Sequence, residues 1–184
     1  MSRPGCFGTA GGEGRAIRSF SGKAMGKLMS GDCCTSAGES SAGIPSCPAC
    51  GCRSQSVESS TVAALVAGPV PAHQKFWLCR DRDCEVTYFG DAGARFRISN
   101  LRFLPAFKSE SPEALVCFCF LHPRMEIESE LRHSGTSTLV DRIAAKVKAR
   151  DCACEVRNPS GRCCLADVRA ETGRLRDALD GEHN

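Results

Sequence analysis

The chain is short of the residues that normally fill a protein core. Aromatics make up only 6% of its 184 residues, with a single Trp and a single Tyr. No stretch approaches the roughly 18 consecutive apolar residues of a membrane helix. Residues 1–28 contain no secretory h-region, because Arg3, Arg15, Arg18, Lys23 and Lys27 interrupt them. Membrane insertion and secretion are therefore not expected, and the expected compartment is the cytoplasm. Strong charge of one sign is also lacking, since the formal net charge is +3. Basic residues are scattered, and Arg95, Arg97 and Arg102 form the only short basic strand, whereas a nucleic-acid interface needs a basic stripe with stacking aromatics. No spacing of Ser, His and acid suggests a nucleophile and its base, so an enzyme is not expected.

What the chain has instead is cysteine, 14 of them. A small domain that cannot bury enough apolar surface needs staples. In a reducing cytosol those staples are metal-bound thiolates rather than disulfides. Two filled four-thiolate sites would each contribute about −2 of charge, which brings the net charge slightly below zero.

Residues 1–44 are rich in Gly, Ser and Ala and read as a disordered tail, with Met29 a candidate alternative start. Two domains are expected after it, 45–110 and 111–184, divided in the Pro- and Ser-containing stretch 105–114. The fold class expected is α+β: a small zinc-stapled β-rich domain, then a small, mainly helical one. Thr61 is a candidate cap for a short helix ending before Gly68-Pro69. Lys75 to Cys79, Glu85 to Phe89 and Arg95 to Leu101 read as strands. Leu139, Ile143 and Val147 mark a helix with Thr138 as N-cap. Leu165, Val168, Thr172, Leu175 and Leu179 mark another, whose stripe either packs on the domain or docks a partner.

Cys47-Pro-Ala-Cys50-Gly51 is a metal knuckle. Two thiolates two residues apart grip one ion from a tight turn, and Gly51 supplies the positive φ such a turn needs. Cys79 and Cys84 offer a second pair between two expected strands. Together the four suit tetrahedral zinc, structural and without an open position. Cys52 reads as a spare thiol and His73 as a possible substitute ligand.

A second set follows: Cys117-Phe-Cys119, Cys152-Ala-Cys154 and Cys163-Cys164. A [2Fe–2S] cluster takes four thiolates, two per iron. In a C-x-C unit both side chains leave an extended chain on the same side, so the pair serves one iron or gives one ligand to each. Asn158-Pro-Ser-Gly161 is a turn that folds the last stretch around a cluster. A second structural zinc is the competing reading, and spacing does not separate the two.

Four motifs in order carry a resemblance: Cys47-Pro-x-Cys50-Gly; Phe76-x-x-Cys79-x₄-Cys84-Glu-Val-x-Tyr88-Phe89; Val116-Cys117-x-Cys119-Phe; and Cys154-Glu-x-x-Asn158-Pro-x-Gly161-x-Cys163-Cys164. The chain resembles the zinc- and [2Fe–2S]-binding N-terminal domain of CopZ-type copper chaperones from about Pro45 to Val168. Its second half is also similar to bacterioferritin-associated ferredoxins, without their final C-x-x-C. The resemblance implies cluster ligands Cys117, Cys119, Cys154 and Cys164, with Cys163 the alternative to Cys164. It also implies handling of copper or another soft metal ion, with Cu(I) passing to a metal-exporting ATPase or redox partner. The family's C-terminal heavy-metal-associated domain is not found in this sequence. Cys33 and Cys34 are candidate thiols for holding a soft ion. The alternative function is a non-enzymatic electron-transfer or iron–sulfur sensing module that docks to a protein partner.

Overall fold

The structure, a computed structural model, describes residues 44–182, all within one compact unit. The tail, the candidate start at Met29, and Cys33 and Cys34 lie outside the described residues. The first half is a four-stranded antiparallel sheet in the order β1 (Ser54–Val57), β2 (Phe76–Cys79), β3 (Val86–Gly90), β4 (Arg95–Arg97). Helix α1 (Ser59–Leu65) follows β1. Strand β1 is not evident in the sequence, because Ser54-Gln-Ser-Val57 lacks the β-branched and aromatic residues that mark strands. It pairs with β2, placing Ser54 opposite Cys79.

The sheet is held by the few large apolar residues the chain has. Phe76 and Leu78 point inward with Tyr88, Val57, Val62 and Val66. Between them, Trp77 points to the other face and stacks on its cross-strand partner Phe89, centroids 5.7 Å apart. The third expected strand is shorter than its pattern. Pairing stops at Arg97, and Ile98–Asn100 form a 3₁₀ turn whose start is tied by the Asn100 side chain accepting from the Arg97 amide. Thr61 sits inside α1 rather than at its cap, and its hydroxyl donates to the carbonyl of Glu155.

The second half is a two-stranded ribbon, β5 (Leu115–Cys117) with β6 (His122–Pro123), and four helices. These are α2 (Arg124–Ser134), α3 (Leu139–Lys148), α4 (Cys154–Arg157) and α5 (Leu165–Glu182). Pro123 precedes the first turn of α2, where its fixed φ is compatible with helix entry. Thr138 flanks α3 as expected but makes no side-chain cap; its hydroxyl donates to Glu130 instead. The α5 stripe is turned inward: Val168, Thr172 and Leu175 are buried, with Leu165 and Leu179 packed beside them. That stripe packs against the core rather than presenting a docking face. Among the described residues, no helix is long and apolar enough to cross a membrane.

The stretch 105–114 is itself packed, with Ala106, Lys108 and Ala114 buried. Polar contacts tie the halves together. Tyr88 Oη donates to the Pro159 carbonyl at 2.8 Å and Gln55 Nε2 to the Ser160 carbonyl at 2.8 Å. Arg80 grips Asp167 with both terminal nitrogens, at 2.7 and 3.3 Å.

Candidate metal centres

The first centre is assembled from a knuckle and a turn. The Cys47 amide donates to the Cys52 carbonyl at 2.9 Å, and the Gly51 amide to the Cys47 carbonyl at 2.8 Å. Closing that ring requires φ of +76° at Gly51, a conformation a side chain resists. Cys79 ends β2, and the turn after it delivers Cys84 just before β3. Cys47 Sγ lies 3.8 Å from Cys84 Sγ, and Cys50 Sγ 3.6 Å from Cys79 Sγ. All four sulfurs lie within 4.8 Å of one another. Metal–sulfur bonds of about 2.3 Å give a tetrahedron with edges of about 3.8 Å, so this donor set fits zinc. Burial works to raise the Cys47 thiol, but the Ala49 and Cys50 amides aim at it and the net result is a lowered value. Burial raises Cys79 and Cys84.

Cys52 is a neighbour of this quartet, with Sγ 2.9 Å from Asp81 Oδ2. His73 is exposed and belongs to no metal-holding group among the described residues.

The second set has a different shape. Cys117 ends β5, Cys119 lies in the turn before β6, Cys154 opens α4 and Cys164 directly precedes α5. All four are buried. Cys164 Sγ lies 3.3 Å from Cys117 Sγ, and Cys119 Sγ 3.6 Å from Cys154 Sγ. The C-x-C unit thus gives one thiol to each pair. Unlike the first quartet, no three of these four sulfurs fall within 4.8 Å of one another. Cys154 also interacts with Cys164, so the two pairs adjoin and the four thiols form one donor set.

Each close pair polarises itself. The neighbouring Cys164 lowers Cys117 to about 7 against the pull of burial, while Cys164 is raised by Cys117. Cys119 lowers Cys154, and Cys154 raises Cys119. The Ala153 amide donates to Cys119 Sγ at 3.4 Å, the kind of contact that stabilises a ligated thiolate. Cys152 and Cys163 flank the set half-buried, packed against the same core. The expected Asn158–Gly161 turn is present: the Gly161 amide donates to the Asn158 carbonyl at 2.8 Å, with φ of +65° at Gly161.

Residues 44–102 match the zinc binding domain family of CopZ. The chain is 31% identical over 121 residues to the copper chaperone CopZ of Archaeoglobus fulgidus, covering 64% of this chain and 57% of that protein. These matches support a CopZ-type N-terminal domain. The crystal structure of the Archaeoglobus fulgidus CopZ N-terminal domain superposes with a TM-score of 0.54 over 68% of this chain and 95% of that one. At 24% identity this second likeness speaks for the fold alone. The CopZ-type domain is metal-binding, and its thiol cluster points to Zn²⁺.

Several residues that shape the two centres are not legible in the sequence. Tyr88, Gln55 and Thr61 reach the loop between Cys154 and Cys164, and Lys108 reaches the turn between Cys79 and Cys84. Only Tyr88 stands out beforehand, as the one Tyr in an apolar strand.

Proposed function

We propose that the chain is a zinc- and [2Fe–2S]-binding cytoplasmic metalloprotein that handles copper or another soft metal ion. The observation that carries this reading is a second set of four buried thiols, in the close pairs Cys117–Cys164 and Cys119–Cys154, in addition to the compact zinc quartet. Zinc at Cys47, Cys50, Cys79 and Cys84 holds the sheet to its knuckle and has no open position for substrate. Cys117, Cys119, Cys154 and Cys164 hold the second group, with the close pairs Cys117–Cys164 and Cys119–Cys154 each serving one iron. A bound [2Fe–2S] cluster supplies one-electron redox chemistry with its ligands fixed. The chain's own residues supply burial, the pairing of the thiols and the Ala153 amide.

Copper enters as cargo. Cu(I) prefers thiolates, and thiols outside the two quartets are the natural holders, Cys33 and Cys34 among them. Delivery to a metal-exporting ATPase or redox partner is part of the same proposal. The alignment spans 57% of that relative, so its copper traffic is a proposal for this chain. The test is to add one equivalent of Cu(II) to dithionite-reduced, desalted protein under argon. Loss of the Cu(II) resonance together with return of the oxidised visible spectrum supports the reading. A protein that stays reduced beside Cu(II) removes its mechanism.

One observation favours the electron-transfer alternative. Leu121, two residues after Cys119, is 55% exposed and held outward by a φ of 57°. A partner docking near the second centre would meet it. Weakened reduction by that partner in Leu121→Ser, with Cu(II) reduction unchanged, would support that route.

A further inference from the structure

We propose that Lys108 is a positioning residue of the first metal centre, a buried cation that fastens the Cys79–Cys84 turn and balances the charge of the loaded thiolates. The inference rests on the zinc reading above and deepens it. Lys108 is 6% exposed. Its Nζ donates to the carbonyls of Asp81 at 2.6 Å, Cys84 at 2.9 Å and Val86 at 2.9 Å. An ammonium has three donors, and all three are used on one short turn. That turn runs from one thiol ligand to the next and into β3.

Hydrogen bonding alone does not account for a cation in this place. Burying a charge is costly unless another charge answers it. The three carbonyls satisfy the donors but bring no net charge. Four thiolates around Zn²⁺ bring a net −2 in the same small space. Lysine suits the role because it is a compact point charge on a flexible stem, able to converge on three carbonyls.

Its position is fixed from its own side. The Lys108 amide donates to the Pro105 carbonyl at 2.9 Å, and the Ala106 amide to the Leu115 carbonyl at 3.0 Å, at the edge of the β5–β6 ribbon. Arg82, inside the metal turn, reaches back to the Ala106 carbonyl at 3.3 Å. Lys108 lies beyond residues 44–102, the segment that matches the zinc binding domain. The turn carrying two of the four thiols is therefore fastened by the stretch that leads from the sheet into the second thiol set.

The test compares Lys108→Met, Lys108→Arg and Val62→Ala in the full chain, purified anaerobically. Zinc affinity is read by competition with a chromophoric chelator, and ligand geometry by the Co²⁺ absorption bands. Val62 is buried in the sheet core and is no ligand, so Val62→Ala supplies a general loss of stability. Lys108→Met should lower zinc affinity at least tenfold and weaken or shift the Co²⁺ bands. Lys108→Arg should recover part of the affinity, and Val62→Ala should leave zinc and spectrum near wild type. The proposal is overturned if Lys108→Met binds zinc like wild type, or if Val62→Ala at equal thermal loss sheds zinc as readily. A wild-type protein that takes up no zinc overturns the zinc reading itself and this proposal with it.

Discussion

Replacing Tyr88 with Phe should cost far more than one exposed hydroxyl. Tyr88 is fully buried, and its Oη donates at 2.8 Å to the carbonyl of Pro159, itself buried. Burial also pushes the phenol up, so it acts as a neutral donor at any ordinary pH. Tyr88→Phe keeps the ring among Phe76 and Leu78 but strands that carbonyl. An acceptor left unsatisfied in the interior costs about 1–3 kcal/mol. For a folded unit of this size, about 2 kcal/mol lowers the melting temperature by roughly 4–8 °C. The effect should also be regional. Pro159 lies in the loop between Cys154 and Cys164, while the ligands of the first centre are on other segments. Thermal unfolding, with metal analysis on the same sample, should show lower stability and faster loss of iron with zinc retained. An unchanged melting temperature, or equal loss of both metals, would refute the argument that this hydroxyl braces the second centre.

Arg124 is 2% exposed and pairs with Glu171 at 2.6 Å and Glu110 at 2.8 Å. Arg124→Met should cost about 3 kcal/mol in denaturant unfolding, near the low end for a broken buried pair because Arg174 still pairs with Glu171. Acid should act through the same group. Burial works to raise Glu171, but Arg174, Arg124 and Arg82 outweigh it and hold the carboxyl below its usual value. A depressed carboxyl stabilises the fold above its unfolded value of about 4.3, and that contribution is lost as pH falls through the folded value. Stability should therefore be level above about pH 5 and fall below it, and Glu171→Gln should flatten the fall in a pH series. Ligand substitutions should be selective: Cys117→Ser should abolish visible colour while leaving zinc bound, whereas Cys79→Ser should release zinc and destabilise the sheet.

The metal knuckle, the β2–β3 pair, the α3 and α5 stripes and the Asn158–Gly161 turn were legible because each is a local pattern. Cys47-x-x-Cys50-Gly51 states its own turn, and Leu165 to Leu179 states its own period. Strand β1 was not, because Ser54, Gln55 and Ser56 become a strand only through pairing with β2. Arg95 to Leu101 misled in the opposite direction: alternation continued past Arg97, but Asn100 tied the backbone into a 3₁₀ turn. The sulfur pairing was illegible for a further reason. Spacing shows which cysteines are near in sequence, whereas the Cys117–Cys164 and Cys119–Cys154 pairs close loops of different lengths around the same core. Lys108 gives no signal at all, since a buried lysine reads like a surface one until its three carbonyls are found.

The most direct test of the two-centre account is metal and labile-sulfide analysis of anaerobically purified protein, with its visible spectrum. One zinc, two irons and two labile sulfides per chain, in a brown protein, is the predicted result. Two zincs, no sulfide and no colour would contradict it and make both thiol sets structural zinc sites.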